Sequence, residues 1–377
     1  MSGPPIDIAT LPAPAQKLLG PGAPVPAKMM AAKGIIPGLK PGDIVTVIAL
    51  LAQSEDEKIC EAATATLAKL PPPLLNGVLA ATNLHAFVVD RLAEHYAAEA
   101  EVVEKLLRMP QLGVEALERL AERADERIGE LIATNESRLL ESPSVIEKLY
   151  MNKRVRMSTA DRLLELAVRN DIELGIPAFK EAAIAIQNEL IVEATPEPTF
   201  DDVLFRETEH VAQTTQLSSD EDDTHEVDDE GEEQVKERFL PLHAQIAQMN
   251  VTQKIRRALL GTPAERLLLV RDPNRLVAVA AAKSPLMREA EAARISASRS
   301  VGDDVLREIA KNREFTRNYQ IKLNLVSNPR TPLTFASRLI PHLREADLRS
   351  LAKSKNVPGA VATAVRQQLL RKQPGKR

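Results

Sequence analysis

Proline repeatedly follows a helix-capping residue in this sequence, within stretches that otherwise read as helix. Ser, Thr, Asp and Asn accept hydrogen bonds from the free N–H groups at a helix start. Proline is tolerated at the first helical position because the N–H it lacks would have no partner there. Each pair therefore predicts the beginning of a helix, not a break in one. The pairs are Ser142-Pro143, Thr262-Pro263, Asp272-Pro273, Ser284-Pro285, Asn328-Pro329 and Thr331-Pro332.

The core must be built almost without aromatic side chains. Hydrophobic residues make up 44% of the chain, but aromatic residues only 3%, and Trp is absent. Leu, Ala, Val and Ile therefore have to do the packing, which favours closely packed helices over β-sheet. We expect an all-α fold without significant β-sheet, and the length of 377 residues is enough for about two domains.

Composition changes along the chain and predicts five regions. Residues 1–42 hold nine prolines and six glycines, which a long helix or a sheet ladder does not accept. Residues 218–233 are strongly acidic and nearly devoid of apolar residues, as in disordered segments. The predicted regions are a mostly disordered leader (1–42), an N-terminal helical repeat block (43–194), an acidic disordered linker (195–235), a basic C-terminal helical repeat block (236–372) and a basic tail (373–377).

The first helices of the N-terminal block carry local signals of their own. Residues 54–57, "SEDE", read as a capping box in front of an apolar stripe. The stripe consists of Ile59, Ala63, Leu67 and Leu70, and the three prolines at 71–73 end the helix. The single cysteine, Cys60, lies beside this stripe and is expected to be a buried small residue.

Short phrases recur at distances typical of helix-pair repeats. "LREIAK" (306–311) returns as "LRSLAK" (348–353), and "AKSP" (282–285) resembles "VSNP" (326–329). A period of roughly 40 residues belongs to repeats that stack into a solenoid and bury their apolar faces against one another.

Three longer phrases resemble a known repeat class: "LLVRDPNRLVAVAAAKSP" (268–285), "VSNPRTPLTFASRL" (326–339) and "LAKSKNVPGAVATAV" (351–365). They are similar to HEAT-like and leucine-rich-repeat-variant proteins, and residues 44–190 together with 240–370 resemble an uncharacterised bacterial family of this type. The resemblance implies a right-handed α-solenoid of short helix pairs in two blocks. Variant-repeat proteins can carry an N-terminal cysteine-rich module, but Cys60 stands alone here, so no cofactor is implied.

No motif for catalysis stands out. The sequence has no phosphate-cradling glycine loop, no His-Glu-x-x-His and no nucleophile elbow. Its six histidines are scattered, so no catalytic, cofactor-binding or metal-binding residue is assigned and an enzyme is not expected. The longest apolar run, residues 44–52, is too short to span a membrane, and the N-terminus does not resemble a secretory signal. With a single cysteine, a cytoplasmic location is expected.

Charge is distributed very unevenly. Residues 241–377 hold 26 Lys and Arg against 10 Asp and Glu, whereas residues 201–233 hold 14 acidic residues and one Arg. A basic helical block offers a surface to an anionic partner such as an acidic protein, a nucleic acid or an anionic membrane surface. The alternative is that Lys and Arg, as good helix formers, simply fill solvent-facing positions. The candidate contacts are Lys254, Arg256, Arg257, Arg271, Arg275, Arg313, Arg317, Lys322, Arg349, Lys353 and Lys355.

The acidic and basic regions are neighbours in the chain. We hypothesise that residues 218–233 fold back on the basic block and compete with its partner, since tethering gives an effective concentration of roughly millimolar. The alternative is a solubilising spacer. The expected function is a non-enzymatic scaffold or adaptor that binds another protein. The second candidate is a nucleic-acid binder that uses the basic block.

Overall fold

The computed structural model describes residues 5–81, 83–219, 222–354 and 356–372. Within these ranges the chain forms 24 α-helices and one two-stranded sheet, which confirms the all-α prediction. The chain divides into two compact units, Met1–Thr159 and Ala160–Arg377. The division falls earlier than the predicted linker, whose described residues all lie in the second unit.

The first unit is made entirely of short helices. A 3-10 turn (Ile8–Thr10) precedes them, and α12 crosses the division between the units. The helices are α1 (Ala13–Leu19), α2 (Val25–Ala32), α3 (Pro41–Leu51), α4 (Glu57–Ala68), α5 (Pro72–Leu79), α6 (Ala86–His95), α7 (Ala100–Leu107), α8 (Val114–Arg123), α9 (Glu126–Ala133), α10 (Glu136–Glu141), α11 (Pro143–Met151) and α12 (Met157–Arg169).

Helices of the first unit pack on near neighbours in sequence. Helix α3 packs against α4 and α5, α6 against α8, and α7 against α9. The predicted stripe of α4 is buried, with Ile59, Ala63, Leu67 and Leu70 at most 5% exposed. The cap of α4 lies two residues later than predicted: the Asp56 carboxylate accepts hydrogen bonds from the backbone N–H groups of residues 58 and 59 (3.1 and 3.3 Å). Cys60 is half-buried, and its thiol donates to the Ala52 carbonyl oxygen (3.0 Å).

The leader differs from the disordered segment that its composition predicts. Residues 5–42 contain α1, α2 and the beginning of α3, and residues 1–4 lie outside the described part of the chain. Pro14, Pro26 and Pro41 fall at the first or second position of these helices, where they cost no hydrogen bond. Ala31 and Ala32 at the end of α2 are buried, so the segment docks on the helices that follow.

The second unit contains the hairpin and the remaining helices. Three 3-10 turns (Glu237–Phe239, Phe315–Arg317 and Ile340–His342) interrupt the helical series. The elements are α13 (Phe179–Ile186), α14 (Phe200–Thr214), β1 (His225–Val227), β2 (Glu233–Val235), α15 (Leu240–Gln248), α16 (Val251–Leu260), α17 (Pro263–Leu269), α18 (Arg275–Ala282), α19 (Glu289–Ala297), α20 (Asp303–Lys311), α21 (Tyr319–Ser327), α22 (Leu333–Leu339), α23 (Glu345–Lys353) and α24 (Gly359–Lys372).

The described part of the predicted linker is also ordered in structure. Helix α14 starts at a capping box formed by Thr199 and Asp202, and it buries Leu204 and Phe205. The acidic stretch then forms an antiparallel hairpin in which His225 pairs with Val235 and Val227 with Glu233. Residues 220 and 221, like the tail at 373–377, lie outside the described ranges. The acidic composition predicted disorder, but composition alone does not show the tertiary contacts that these carboxylates make.

The proline pairs behave in two ways. Pro143 and Pro263 begin α11 and α17 as predicted, and Thr262 forms a full capping box with Glu265. Thr331-Pro332 falls within one residue of the start of α22. At the other three sites the helix does not begin at the proline, because the polar side chain has a different partner. These are Asp272, which accepts from the Asn274 N–H (2.7 Å), Ser284, which donates to the Leu259 carbonyl oxygen (3.1 Å), and Asn328.

A buried asparagine is used in the same way in both units. Asn152 and Asn328 each follow the last residue of a helix, and each side-chain amide donates two hydrogen bonds to carbonyl oxygens about 30 residues earlier. The side-chain oxygen of each accepts from the backbone N–H two residues later (2.9 and 3.0 Å). The acceptors are Ala121 and Ala124 for Asn152 (2.9 and 2.8 Å) and Ser296 and Ser298 for Asn328 (2.9 and 2.7 Å).

Arginine takes the place of aromatic bulk in the core of the second unit. Arg256, Arg257 and Arg266 are at most 2% exposed and rank among the largest buried side chains of the protein. Two of their guanidinium groups lie over the ring of Phe205, at 5.2 and 4.9 Å from its centre. Among the described residues, no helix is both long and apolar enough to cross a membrane.

Candidate functional site

The eleven predicted basic residues do not share one surface. Arg256, Arg257 and Arg271 are buried, and Lys254 is largely buried beside Asp272 (3.0 Å). Lys322 is half-buried, whereas five others are exposed, and Lys355 lies outside the described residues. The exposed residues are Arg275, Arg313, Arg317, Arg349 and Lys353.

The buried arginines of α16 are committed to internal partners. The Arg257 guanidinium donates to Glu265 (2.6 Å) and lies 3.7 Å from Glu209. Glu265 also accepts from the Thr262 N–H (2.6 Å), so one carboxylate both caps α17 and neutralises the arginine. The prediction that Arg256 and Arg257 face an anionic partner is corrected on this point: both are covered by the helices of their own unit.

Asp161, on α12, is the most perturbed acid in this region. Burial raises the pKa of its carboxyl to about 8, and the opposing effects of Arg256 and of a hydrogen bond to Thr252 only partly offset it. One of its oxygens, Oδ1, is buried without a hydrogen-bond partner among the described residues. At neutral pH this carboxyl is therefore mostly protonated and uncharged.

The acidic hairpin is held together by Asp228 at its turn. The Asp228 carboxylate accepts from the backbone N–H groups of residues 230 and 232 (3.0 and 2.8 Å) and from the Gln234 amide (2.7 Å). These hydrogen bonds lower the pKa of Asp228. Gly231 has a positive φ of 86°, which glycine adopts without strain. The turn thereby fixes which side of β2 Glu233 occupies.

Glu233 docks the hairpin on the helical body of the second unit. Its carboxylate accepts from Arg271 Nε (3.0 Å), from the hydroxyls of Ser298 (2.7 and 2.8 Å) and Ser300 (2.8 Å), and from the Arg299 N–H (3.0 Å). Burial alone would raise the pKa of Glu233, but the hydrogen bonds from the two serines and the charge of Arg271 outweigh it and hold the pKa at about 2. We call these donor groups, on residues 271 and 298–300, the carboxylate cradle.

Asp223 makes the second contact between the hairpin region and Arg271. Its carboxylate accepts from Arg271 Nη2 (3.0 Å), so Arg271 bridges both acids and is itself only 6% exposed in its side chain. His225 lies in the same cleft, where burial and the nearby Arg271 charge lower its pKa to about 4. The cleft has a volume of about 300 Å³ and is also lined by Arg294.

The exposed basic residues have weak or no partners. Arg317 pairs with Glu314 (3.0 Å), Arg275 with Asp304 and Arg349 with Glu345, all as solvent-exposed guanidinium groups. Arg313 and Lys353, together with half-buried Lys322, make no ion pair with any described residue. These side chains are the part of the predicted basic surface that stays open to an outside anion.

Sequence reasoning missed the residues that complete the cradle. Ser298 and Ser300 carry no charge and follow no recognised motif, so nothing in their local sequence marks them. In the sequence, Glu233 is one of 14 acidic residues between positions 201 and 233. The glycine-containing segment "DEGEE" (229–233), which ends at Glu233, is a usable hairpin signal. Among the described residues, no cluster of three His, Cys, Asp or Glu side chains is placed to hold a metal ion. No family model, curated protein or solved structure matches this chain.

Proposed function

We propose that this chain is a non-catalytic helical-repeat protein that binds a partner protein through its basic C-terminal block (236–372). In this proposal the acidic hairpin covers the part of one face of that block where the carboxylate cradle lies, until the partner displaces it. Each block is a right-handed solenoid of the HEAT-like or leucine-rich-repeat-variant type, and the protein acts in the cytoplasm.

Two features support the repeat arrangement. Helices pack on the next-but-one helix, as α16 does on α18, α18 on α20 and α19 on α21. The asparagine contacts of Asn152 and Asn328 recur with the same geometry and nearly the same sequence separation. Both are expected when one helix pair is repeated along a stack.

One observation carries the choice of a protein partner: the carboxylate of Glu233, presented on a β-strand, occupies the carboxylate cradle. The second unit thus already binds an acidic extended segment, and a partner of the same chemistry competes with it directly. Charge-assisted hydrogen bonds of this kind are about twice as strong as neutral ones.

The test is a binding titration of the full chain with fluorescent poly-glutamate. The double variant Asp223→Asn with Glu233→Ala releases the hairpin and should bind at least about tenfold more tightly than the wild type, as expected when a tethered competitor is removed. The control variant Asp229→Asn with Glu230→Ala removes the same charge from exposed positions of the same hairpin and should bind like the wild type. Equal affinities for all three proteins would reject the proposal.

The second candidate, nucleic-acid binding, is favoured by the unpaired cations Arg313, Lys322 and Lys353. It predicts that a DNA duplex binds and is released steeply between about 50 mM and about 200 mM salt. A triple substitution of these residues by Ala should then abolish retention. Absence of DNA binding at the lower salt concentration would remove this candidate.

A further inference from the structure

The carboxylate cradle is built by the helical body and does not depend on the hairpin. Three of its four donor groups come from residues 298–300, the loop that leaves the end of α19. The side-chain amide of Asn328 stabilises this loop by donating to the carbonyl oxygens of Ser296 and Ser298 (2.9 and 2.7 Å). Arg271 is held in place by its own hydrogen bond to the Leu267 carbonyl oxygen (2.9 Å). The donors therefore stay in position when Glu233 leaves.

The cleft offers more donor capacity than one carboxylate uses. Four donor groups already fill the roughly four lone-pair sites of the Glu233 carboxylate, with the single Ser298 hydroxyl shared between its two oxygens. Arg294 lines the same cleft, and its Nη1 atom is buried without a hydrogen-bond partner among the described residues. A buried guanidinium N–H that lacks an acceptor is unfavourable, so a ligand with a further oxygen would be stabilised there.

A phosphate group has the missing properties. It carries about −1.5 to −2 charges near neutral pH and three acceptor oxygens, against one charge and two oxygens for a carboxylate. Two guanidinium groups, two hydroxyls and a backbone N–H are the donor types that bind phosphorylated side chains. We propose that this cleft is a receptor site for a phosphorylated side chain on an extended segment of the partner, and that Glu233 is its internal occupant. The inference rests on the proposed function and specifies the ligand of the same face.

The experiment uses the full chain with Glu233→Ala and three short peptides with the sequence of residues 231–236. The residue at the position of Glu233 is phosphoserine, Glu or Ser, and affinity is measured by fluorescence anisotropy. The phosphoserine peptide should bind at least about tenfold more tightly than the Glu peptide, and the Ser peptide should not bind, because only the phosphate can engage Arg294 as well. Wild-type protein should bind the phosphoserine peptide at least about tenfold more weakly than Glu233→Ala, since the cradle is occupied.

Two controls keep the test decisive. Adding Ser298→Ala and Ser300→Ala to the Glu233→Ala protein should abolish binding of the phosphoserine peptide, while circular dichroism and thermal unfolding report whether the fold persists. If Glu233→Ala does not fold, Glu233→Gln retains the size of the side chain and is titrated with the same peptides. Inorganic phosphate alone, used as a competitor, should require a far higher concentration than the peptide.

Distinct results would overturn the assignment. Equal affinity for the phosphoserine and Glu peptides would make the cleft a carboxylate site only, and equal competition by free phosphate would remove the peptide from the proposal. Failure of all peptides to bind would remove the site itself. Poly-glutamate binding that increases on hairpin release and survives Ser298→Ala with Ser300→Ala would leave the proposed function standing without this site.

Discussion

The buried ion pair between Arg266 and Glu291 gives the sharpest stability prediction. Both residues are only 2% exposed. The guanidinium donates to the two carboxylate oxygens (2.8 and 2.9 Å) and to the Gly261 carbonyl oxygen (2.7 Å). Glu291 also accepts from the Arg288 N–H (3.2 Å) at the start of α19. The pair therefore joins α17 to α19 across 25 positions of sequence.

Glu291→Ala should be strongly destabilising because it leaves a buried guanidinium without a counter-charge. Breaking a buried pair in this way costs about 3–5 kcal/mol of unfolding free energy. Replacing both partners by apolar side chains of similar size, as in Arg266→Met with Glu291→Leu, is often neutral or stabilising, because no charge stays buried. We therefore expect the double variant to recover most of the loss.

Urea unfolding of the full chain, monitored by circular dichroism, measures both effects. With a slope of about 3 kcal/mol per M urea, Glu291→Ala should lower the midpoint of the affected transition by about 1 M or more. Arg317→Ala, which removes an exposed ion pair with Glu314, serves as the control and should leave the midpoint unchanged. A Glu291→Ala shift as small as that of the control would refute the reasoning, as would a double variant no more stable than the single one.

Two further predictions concern Asp161 and the repeated asparagines. Because the pKa of Asp161 is raised to about 8 from 3.8, the folded state binds more protons than the unfolded state between these values, so stability falls as pH rises through that window. Asp161→Asn should remove this fall in stability with pH. Unfolding midpoints are measured for the variant and the wild type between these pH values. An equal decline in both proteins would contradict the raised pKa of Asp161. Asn328→Ala leaves the carbonyl oxygens that it bridges without their donor and should cost about 1–3 kcal/mol. Asn152→Ala should be destabilised by a similar amount. If thermal unfolding shows no loss of stability for either variant, these asparagine contacts do not stabilise the fold.

Local sequence signals predicted the starts of some helices and the buried face of α4. Thr262-Pro263 predicted the start of α17 because a capping residue and the proline after it act within one helical turn. The apolar stripe of α4 predicted its buried face for the same reason. The pairs at Asp272, Ser284 and Asn328 did not predict a helix start, because each polar side chain hydrogen-bonds to a group other than the expected helix N-terminus. For Ser284 and Asn328 the partner lies in an earlier helix or in the loop after it.

The candidate site was predicted only in outline. Net charge marked residues 241–377 as basic, but it could not separate buried arginines from exposed ones. Arg257 and Arg313 have the same side chain, yet one neutralises Glu265 inside the unit and the other faces solvent. Glu233 of the acidic segment contacts Ser298 and Ser300, whose hydroxyls carried no sequence signal, and competition of this segment with a partner stays a prediction.

The sequence by itself determined the helical class of the protein, because capping, proline position, apolar spacing and scarcity of aromatics all act within a few residues. The tertiary structure decided which charges are used. Arg266 meets Glu291 across 25 positions and Arg271 meets Glu233 across 38, and such pairs form only after helices have packed. Burial then fixes their strength, since an ion pair removed from water is neither screened nor replaced by solvent.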